Sequence, residues 1–539
     1  MLRNVHVLRN VHAYPHVTWC PIMKCVRNIH YYQSCKDRLL CNMPNKLPFR
    51  LFNIKTMTVV IDHDFPESVF ENGYVAVSHV WGEQISHTPE SLGVRGGVDW
   101  EIPLSNTNKM DMLKSAMKKF KIEWCWWDVF CMPQGEHNQA EVNKEISHMG
   151  DYYNGAMMTL VLSDYKDFGE GSLIKGIKAI AKHTSVGMHL IAWDFEGEPW
   201  LHRLWTFQEA VMSKQIWLVG PSKNYLDVTD SMKRVAISDE KYGTNISEGP
   251  ITYLARSIRD YTKHKTSVGR MLYECRDRKC YKPQDRYYGM LGILGYAKFP
   301  VTYDIAMEDL GRKFMEHAYY NRDISWLAIY TVGNTGFIPT HENITYIGEL
   351  WREEKPGMCD IKFGQDTLWI NACIAADVTD SKIISDDVGL YNFCEELGFD
   401  ESDAVRAIVG HCKLSDGEVK SLKSYRKYYD AKDLPKSLVV FGSVAVDGNI
   451  YNLLKKGERH LEVGWQAACK IVCMETKKDM LLTICGECDV GDKIMLLPMY
   501  DIHGRTLGMV VDSTFKRKGI CLYPKLDVLY EYTPYEFPL

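Results

Sequence analysis

Three short stretches of this chain place polar side chains where chemistry can be done. Ser78, His79, Trp81 and Gly82 close the apolar run that starts at Tyr74. Asp128 stands near the end of a second apolar run, Trp124–Phe130, with Gln134 just beyond. Arg203, Trp205 and Glu209 lead into a third segment. In a parallel α/β sheet, ligands bind outside the carboxyl ends of the strands, so the three groups are expected to line one crevice. There Glu209 is the candidate catalytic carboxylate. Ser78, Trp81, Gly82, Asp128, Gln134, Arg203 and Trp205 are the candidate substrate-binding residues. Trp81 and Trp205 offer flat apolar walls for a ring, and Arg203 suits a phosphate or carboxylate.

Each assignment has a plainer competitor. Thr206-Phe-Gln-Glu209 also reads as a capping box, in which Thr caps a helix and Glu bonds back to its amide. Arg203 is spaced to neutralise Glu209, and Asp128 reads equally as a buried partner of Arg203. Ser78 beside His79 suggests a nucleophile and base, but neighbours on a strand point to opposite faces. Glu141 and Glu145, four apart on one helix face, are a solvated pair or a metal pair. Cys469-(x)3-Cys473 and Cys485-Gly-Glu-Cys488 allow zinc ligation or simple buried thiols. Cys20, Cys25, Cys35 and Cys41 are spaced too loosely for a structural zinc site. Gly93-Val-Arg-Gly-Gly97 lacks the spacing and Lys-Ser/Thr ending of a phosphate loop. No metal or cofactor is expected.

The elements that must position these groups follow from periodicity. Phe49–Ile54, Tyr74–Ser78, Trp124–Phe130, Met157–Leu162 and Ile216–Val219 read as strands. Met110, Leu113, Met117 and Phe120 define one amphipathic helix. Val142, Ile146, Met149 and Tyr153 define another, Leu173–Ile180 begins a third, and a helix follows Trp205. Strand and helix alternate, so the fold class is α/β, a parallel sheet flanked by helices. Residues 250–330 read as a helical extension. Beyond them come short helices (386–412), then alternating strands from Leu438 onward with turns at Gly491-Asp492 and His503-Gly504.

At 539 residues the chain exceeds what one core usually serves. The expected division is a basic N-terminal extension (1–48, where Leu2-Arg-Asn-Val-His6 recurs as Leu8–His12), an α/β domain (49–335) and an accessory C-terminal domain (336–539), helical then β-rich. A formal charge of −5 gives no reason to expect nucleic acid or an anionic membrane as partner. No run approaches the roughly 20 apolar residues of a membrane span. Seventeen cysteines without regular spacing suit a reducing, cytoplasmic setting.

Taken in order, Tyr74–Gly82, Trp124–Gln134, the segment Glu141–Ala156, Arg203–Glu209 and Asp285-Arg286-Tyr-Tyr-Gly-Met-Leu-Gly-Ile293 resemble the blocks of the heterokaryon-incompatibility (HET) domain, described in fungal self/non-self recognition and cell death. The resemblance covers residues 49 to 330. It implies a layout distantly similar to TIR domains, some of which cleave NAD with a glutamate four residues after a tryptophan. Trp205-(x)3-Glu209 is similar to that arrangement. NAD is then the implied substrate, with death-pathway proteins and self-association as the implied partners. A non-enzymatic interaction module is the alternative. An enzyme would keep the Glu209 carboxylate accessible; a scaffold would bury it in a cap. Two positions depart from the family pattern: Cys131-Met-Pro-Gln134 replaces Cys-Ile-Asn-Gln, and Glu145 replaces a glutamine.

Overall fold

The computed structural model describes residues 47–81, 85–163, 197–229, 232, 250–331, 336–339, 344–346, 352–353, 359–383, 396–398, 467–477, 479–500, 505–523 and 530–538. All lie in the second of the chain's two units, Lys46–Leu539. The expected extension with its cysteines, the helices at 173–180 and 386–412, the strand at Leu438–Val446 and the turn at His503 fall outside these residues.

Seven strands form the first sheet. They are β1 (Arg50–Asn53), β2 (Thr58–Ile61), β3 (Val75–His79), β4 (Trp124–Trp127), β5 (Thr159–Leu162), β6 (Ile216–Val219) and β7 (Tyr225–Asp227). Their order is β2-β1-β4-β3-β5-β6-β7. The four middle strands are parallel, and antiparallel β1, β2 and β7 extend the edges. β3, β4 and β5 are buried along their whole length. That explains why they read as continuous apolar runs rather than alternating ones: both faces are covered.

From β3 the chain passes to β4 on one side, then jumps over β3 to β5 and β6 on the other. The order of strand winding reverses between β3 and β5, and the carboxyl ends of those two strands flank the switch point. Helix α1 (Glu67–Asn72) precedes β3. Helix α2 (Asn108–Phe120) connects β3 to β4 and buries Met110, Leu113, Met117 and Phe120, as the spacing predicts.

After β4 comes a single turn, α3 (Asp128–Cys131). The helix expected over Glu141–Ala156 is two: α4 (Gln139–Ile146) and α5 (Met149–Gly155). Ser147 breaks it by turning its hydroxyl back to the Lys144 carbonyl at 2.8 Å, a local bond that competes with continued helix. Helix α6 (Leu204–Met212) then leads into β6.

The expected helical extension holds α7 (Pro250–Thr262), α8 (Val268–Cys275), α9 (Asp285–Tyr288), α10 (Leu291–Leu294) and α11 (Met307–Tyr320). It packs closely on the α/β layer. Gly150 of α5 faces Gly292 of α10, and a Cβ on either would meet the other's Cα at 2.6–2.7 Å. Glycine at both positions permits the two helices to touch backbone to backbone.

The C-terminal strands are β8 (Ile361–Phe363), β9 (Thr367–Ile383), β10 (Ala467–Cys473), β11 (Asp479–Gly486), β12 (Lys493–Tyr500), β13 (Thr506–Val511), β14 (Arg517–Tyr523) and β15 (Thr533–Pro538). The long β9 pairs with both β10 and β12, which curls the antiparallel sheet onto itself. Its concave face holds Cys469, Ile471, Leu482, Ile484, Ile494, Leu496, Val510 and Cys521. The intervening Leu481, Cys485, Met495, Leu497, Met509 and Ile520 join the main core on the other face. Arg517, fully buried, donates to the Leu327 carbonyl at 3.2 Å and to that of Ile329, tying β14 to the helical layer. Cys485 and Cys488 belong to different cores on opposite sides of the sheet, a separation that rules out the short-spaced zinc pair.

Candidate functional site

Both faces of the sheet are addressed by two successive residues at the end of β3. Ser78 points toward α6. Its hydroxyl donates to Glu209 Oε2 and accepts from Trp200 Nε1 at 2.6 Å. The Tyr153 hydroxyl donates to the Val77 carbonyl at 3.1 Å and lies within reach of the Glu209 carboxyl.

The capping reading of Glu209 is corrected here. Helix α6 begins at Leu204 with Arg203 as its N-cap and no side-chain cap. Thr206 is therefore inside the helix, and its hydroxyl turns back to the Trp200 and Arg203 carbonyls at 2.5 and 2.8 Å. Glu209 lies too deep in the helix to reach the N-cap amide. It spends its carboxyl on the sheet instead and is 6 % exposed.

Burial pushes the Glu209 carboxyl up, against the Ser78 hydrogen bond. The charge of Asp128 adds to the rise, while Arg203 and the Tyr153 hydroxyl oppose it. The balance stands at about 8. A carboxyl in that state is mostly protonated at neutral pH.

His79 points the other way, toward α2. Its Nε2 meets Asp128 Oδ1 at 3.2 Å, and Asp128 Oδ2 accepts from Trp81 Nε1 at 2.7 Å. The Val129 amide also donates to Asp128, at 2.8 Å. The expected Asp128–Arg203 pair is thus replaced by His79 and Trp81, because α3 starts at Asp128 and keeps its carboxylate over the His79 face. Burial works to raise the Asp128 carboxyl. The charge of His79 and the hydrogen bonds from His79, Trp81 and Val129 nevertheless hold it below the usual carboxylate range. Lys109, 0 % exposed, reaches His79 Nδ1 at 3.5 Å and donates to the Val80 carbonyl at 2.7 Å and Ser105 Oγ at 3.2 Å.

The remaining candidates are placed as follows. Arg203 is half-buried, and its guanidinium forms no ion pair among the described residues; its charge is felt by both Glu209 and Cys280. Trp205 turns to the helical layer, where its indole bonds Asp285. Gln134 folds onto its own loop, donating to the Met132 carbonyl at 2.8 Å. Gly82 lies outside the described residues. Glu141 and Glu145 are not a solvated pair: Glu141 bridges to Arg50 at 2.7 Å, and Glu145 is buried against Tyr152. The structure thus brings Ser78 and Glu209 together on one face, and Asp128 and Trp81 together on the other.

Four participants escape a reading by sequence. Trp200 and Lys109 are two. The others are Ser163 and Glu198, which bond to each other at 2.8 Å just beyond β5. The Pro199-Trp-Leu-His-Arg203 run immediately before the Arg203 block is the signal that would have found Trp200.

The class this geometry defines is a three-layer α/β domain with polar groups collected at the switch point of a parallel sheet. A family model described as heterokaryon incompatibility protein (HET) matches residues 74–209, from Tyr74 at the edge of β3 to Glu209 itself. The match points to heterokaryon incompatibility, that is, self/non-self recognition. Comparisons with curated proteins and with solved structures gave no match. Among the described residues, no helix is long and apolar enough to cross a membrane.

Proposed function

We propose that this HET module acts in cytoplasmic self/non-self recognition of the innate-immune or regulated cell-death type, and that it does so by cleaving the nicotinamide glycosidic bond of NAD. The observation that carries the reading is the buried Glu209 carboxyl, held by Ser78 at the carboxyl end of β3. A TIR-like layout, with Glu209 four residues after Trp205, is part of the same proposal.

In the reaction, the bond between ribose C1′ and the nicotinamide nitrogen breaks, and its electron pair leaves with the already cationic ring. Water adds at C1′ and gives up a proton. Positive charge grows on the ribose during cleavage, and a fixed carboxylate stabilises it. Glu209 must be ionised to do this, so turnover is expected to climb with pH toward about 8. Arg203 supplies the cation for the diphosphate, and Ser78 and Trp200 fix the carboxylate.

A second reading, a non-enzymatic module that binds death-pathway proteins or further copies of itself, is favoured by one observation: Glu209 is only 6 % exposed. NAD consumption by the purified protein, wild type beside Glu209→Gln, separates the two. A loss of about 100-fold or more in a folded variant supports catalysis. Equal turnover in both proteins removes Glu209 from the mechanism, and no turnover in either favours the interaction module.

A further inference from the structure

We infer that Glu198 and Ser163 form a second ligand-contacting pair beside Ser78 and Glu209, and that they hold the vicinal hydroxyls of a ribosyl ligand. The inference rests on reading the crevice as a nicotinamide-nucleotide site. Ser78 lies level with Val161 across the parallel β3–β5 pair, so their side chains share a face. Ser163 follows two residues later and stays in the ladder, its amide donating to the Val219 carbonyl at 3.0 Å. It therefore projects from the same face as Ser78.

The two serines stand one strand spacing and two residue rises apart, about 8 Å. Each bonds a buried glutamate, Ser78 to Glu209 and Ser163 to Glu198. The carboxyls are accordingly separated by a similar distance, within the roughly 5–9.5 Å at which paired carboxylates flank a sugar ring. The turn Pro199–His202 enforces the pairing. It delivers Glu198 to Ser163 and, two residues on, Trp200 to Ser78. The same turn is fastened to α6 by Thr206.

Glu198 is 3 % exposed, and the Ser163 hydroxyl occupies one of the roughly four acceptor positions a carboxylate offers. Two adjacent ribose hydroxyls are donors of matching spacing. The labour then divides: Glu209 faces the anomeric carbon and Glu198 the 2′,3′-diol. Both switch-point strands contribute one serine–glutamate pair each.

The test is calorimetric binding of NAD, and of its analogue lacking the 2′- and 3′-hydroxyls of the nicotinamide ribose, to Glu209→Gln protein with and without Glu198→Gln. Glu209→Gln is used so that NAD is not consumed. The expected result is about tenfold preference for NAD, abolished by Glu198→Gln. Undiminished preference in the Glu198→Gln protein overturns the inference while leaving the nucleotide site standing. Absence of NAD binding without the Glu198 change overturns the nucleotide reading itself, and the inference with it. Should Glu198→Gln fail to fold, Ser163→Ala serves instead: it is expected to weaken the preference, and an unaltered one overturns the inference.

Discussion

Replacing Glu209 by glutamine should change how the protein's stability depends on pH. In the folded chain the carboxyl keeps its proton to about 8, against an ordinary value of 4.5. Between those limits the unfolded chain has released the proton and the folded chain has not, so folding takes one up. Stability from this group is fully present below pH 4.5, falls as pH rises, and is exhausted above about 8. At about 1.4 kcal/mol per pH unit, the interval corresponds to about 5 kcal/mol as an upper bound. Glutamine has nearly the same shape and does not titrate. The stability of the wild type relative to Glu209→Gln should therefore decline by several kcal/mol from pH 4.5 to 8 and then level off. Urea denaturation followed by tryptophan fluorescence at a series of pH values measures the difference. A difference that stays constant across that range would refute the claim of a buried, protonated Glu209.

Two further outcomes follow from neighbouring contacts. Asp128→Asn removes a charge that raises Glu209, and Arg203→Met removes one that lowers it; the pH at which stability levels off should move down in the first and up in the second, and no movement in either would separate the two faces of β3 electrostatically. Gly292→Ala forces a Cβ to 2.7 Å from the Gly150 Cα and from the Met212 sulfur; overpacking of this kind should cost about 1–3 kcal/mol in the same denaturation assay, and an unchanged midpoint would show that α5 and α10 part easily.

The strands of the first sheet were legible because burial on both faces writes them as unbroken apolar runs; Ile216–Val219 matches β6 residue for residue. The helix around α4 and α5 was read as one because Val142, Ile146, Met149 and Tyr153 keep the helical period through a break made by a single hydroxyl. Thr206–Glu209 fits a capping box in spacing, yet Arg203 occupies the cap. Nothing in the spacing reveals that Leu204 and Trp205 already belong to the helix.

Lys109 was missed for a different reason. A lysine on an amphipathic helix is normally solvated, and only the convergence of Val80, Ser105 and His79 makes its burial tolerable. Ser163 and Glu198 are 35 positions apart, beyond any periodicity. The closure of the second sheet depends on β9 meeting β12, which lies more than a hundred residues downstream. Local pattern gives the strands but carries no record of such pairing.

The central claim is that the polar groups at the ends of β3 and β5 form one ligand site. Its most direct test is a crystal structure of the Glu209→Gln protein grown with NAD. The account predicts density for the nicotinamide ribose beside Ser78 and residue 209, with the diphosphate toward Arg203. An unchanged switch point at saturating NAD, or nucleotide bound elsewhere on the chain, would contradict it.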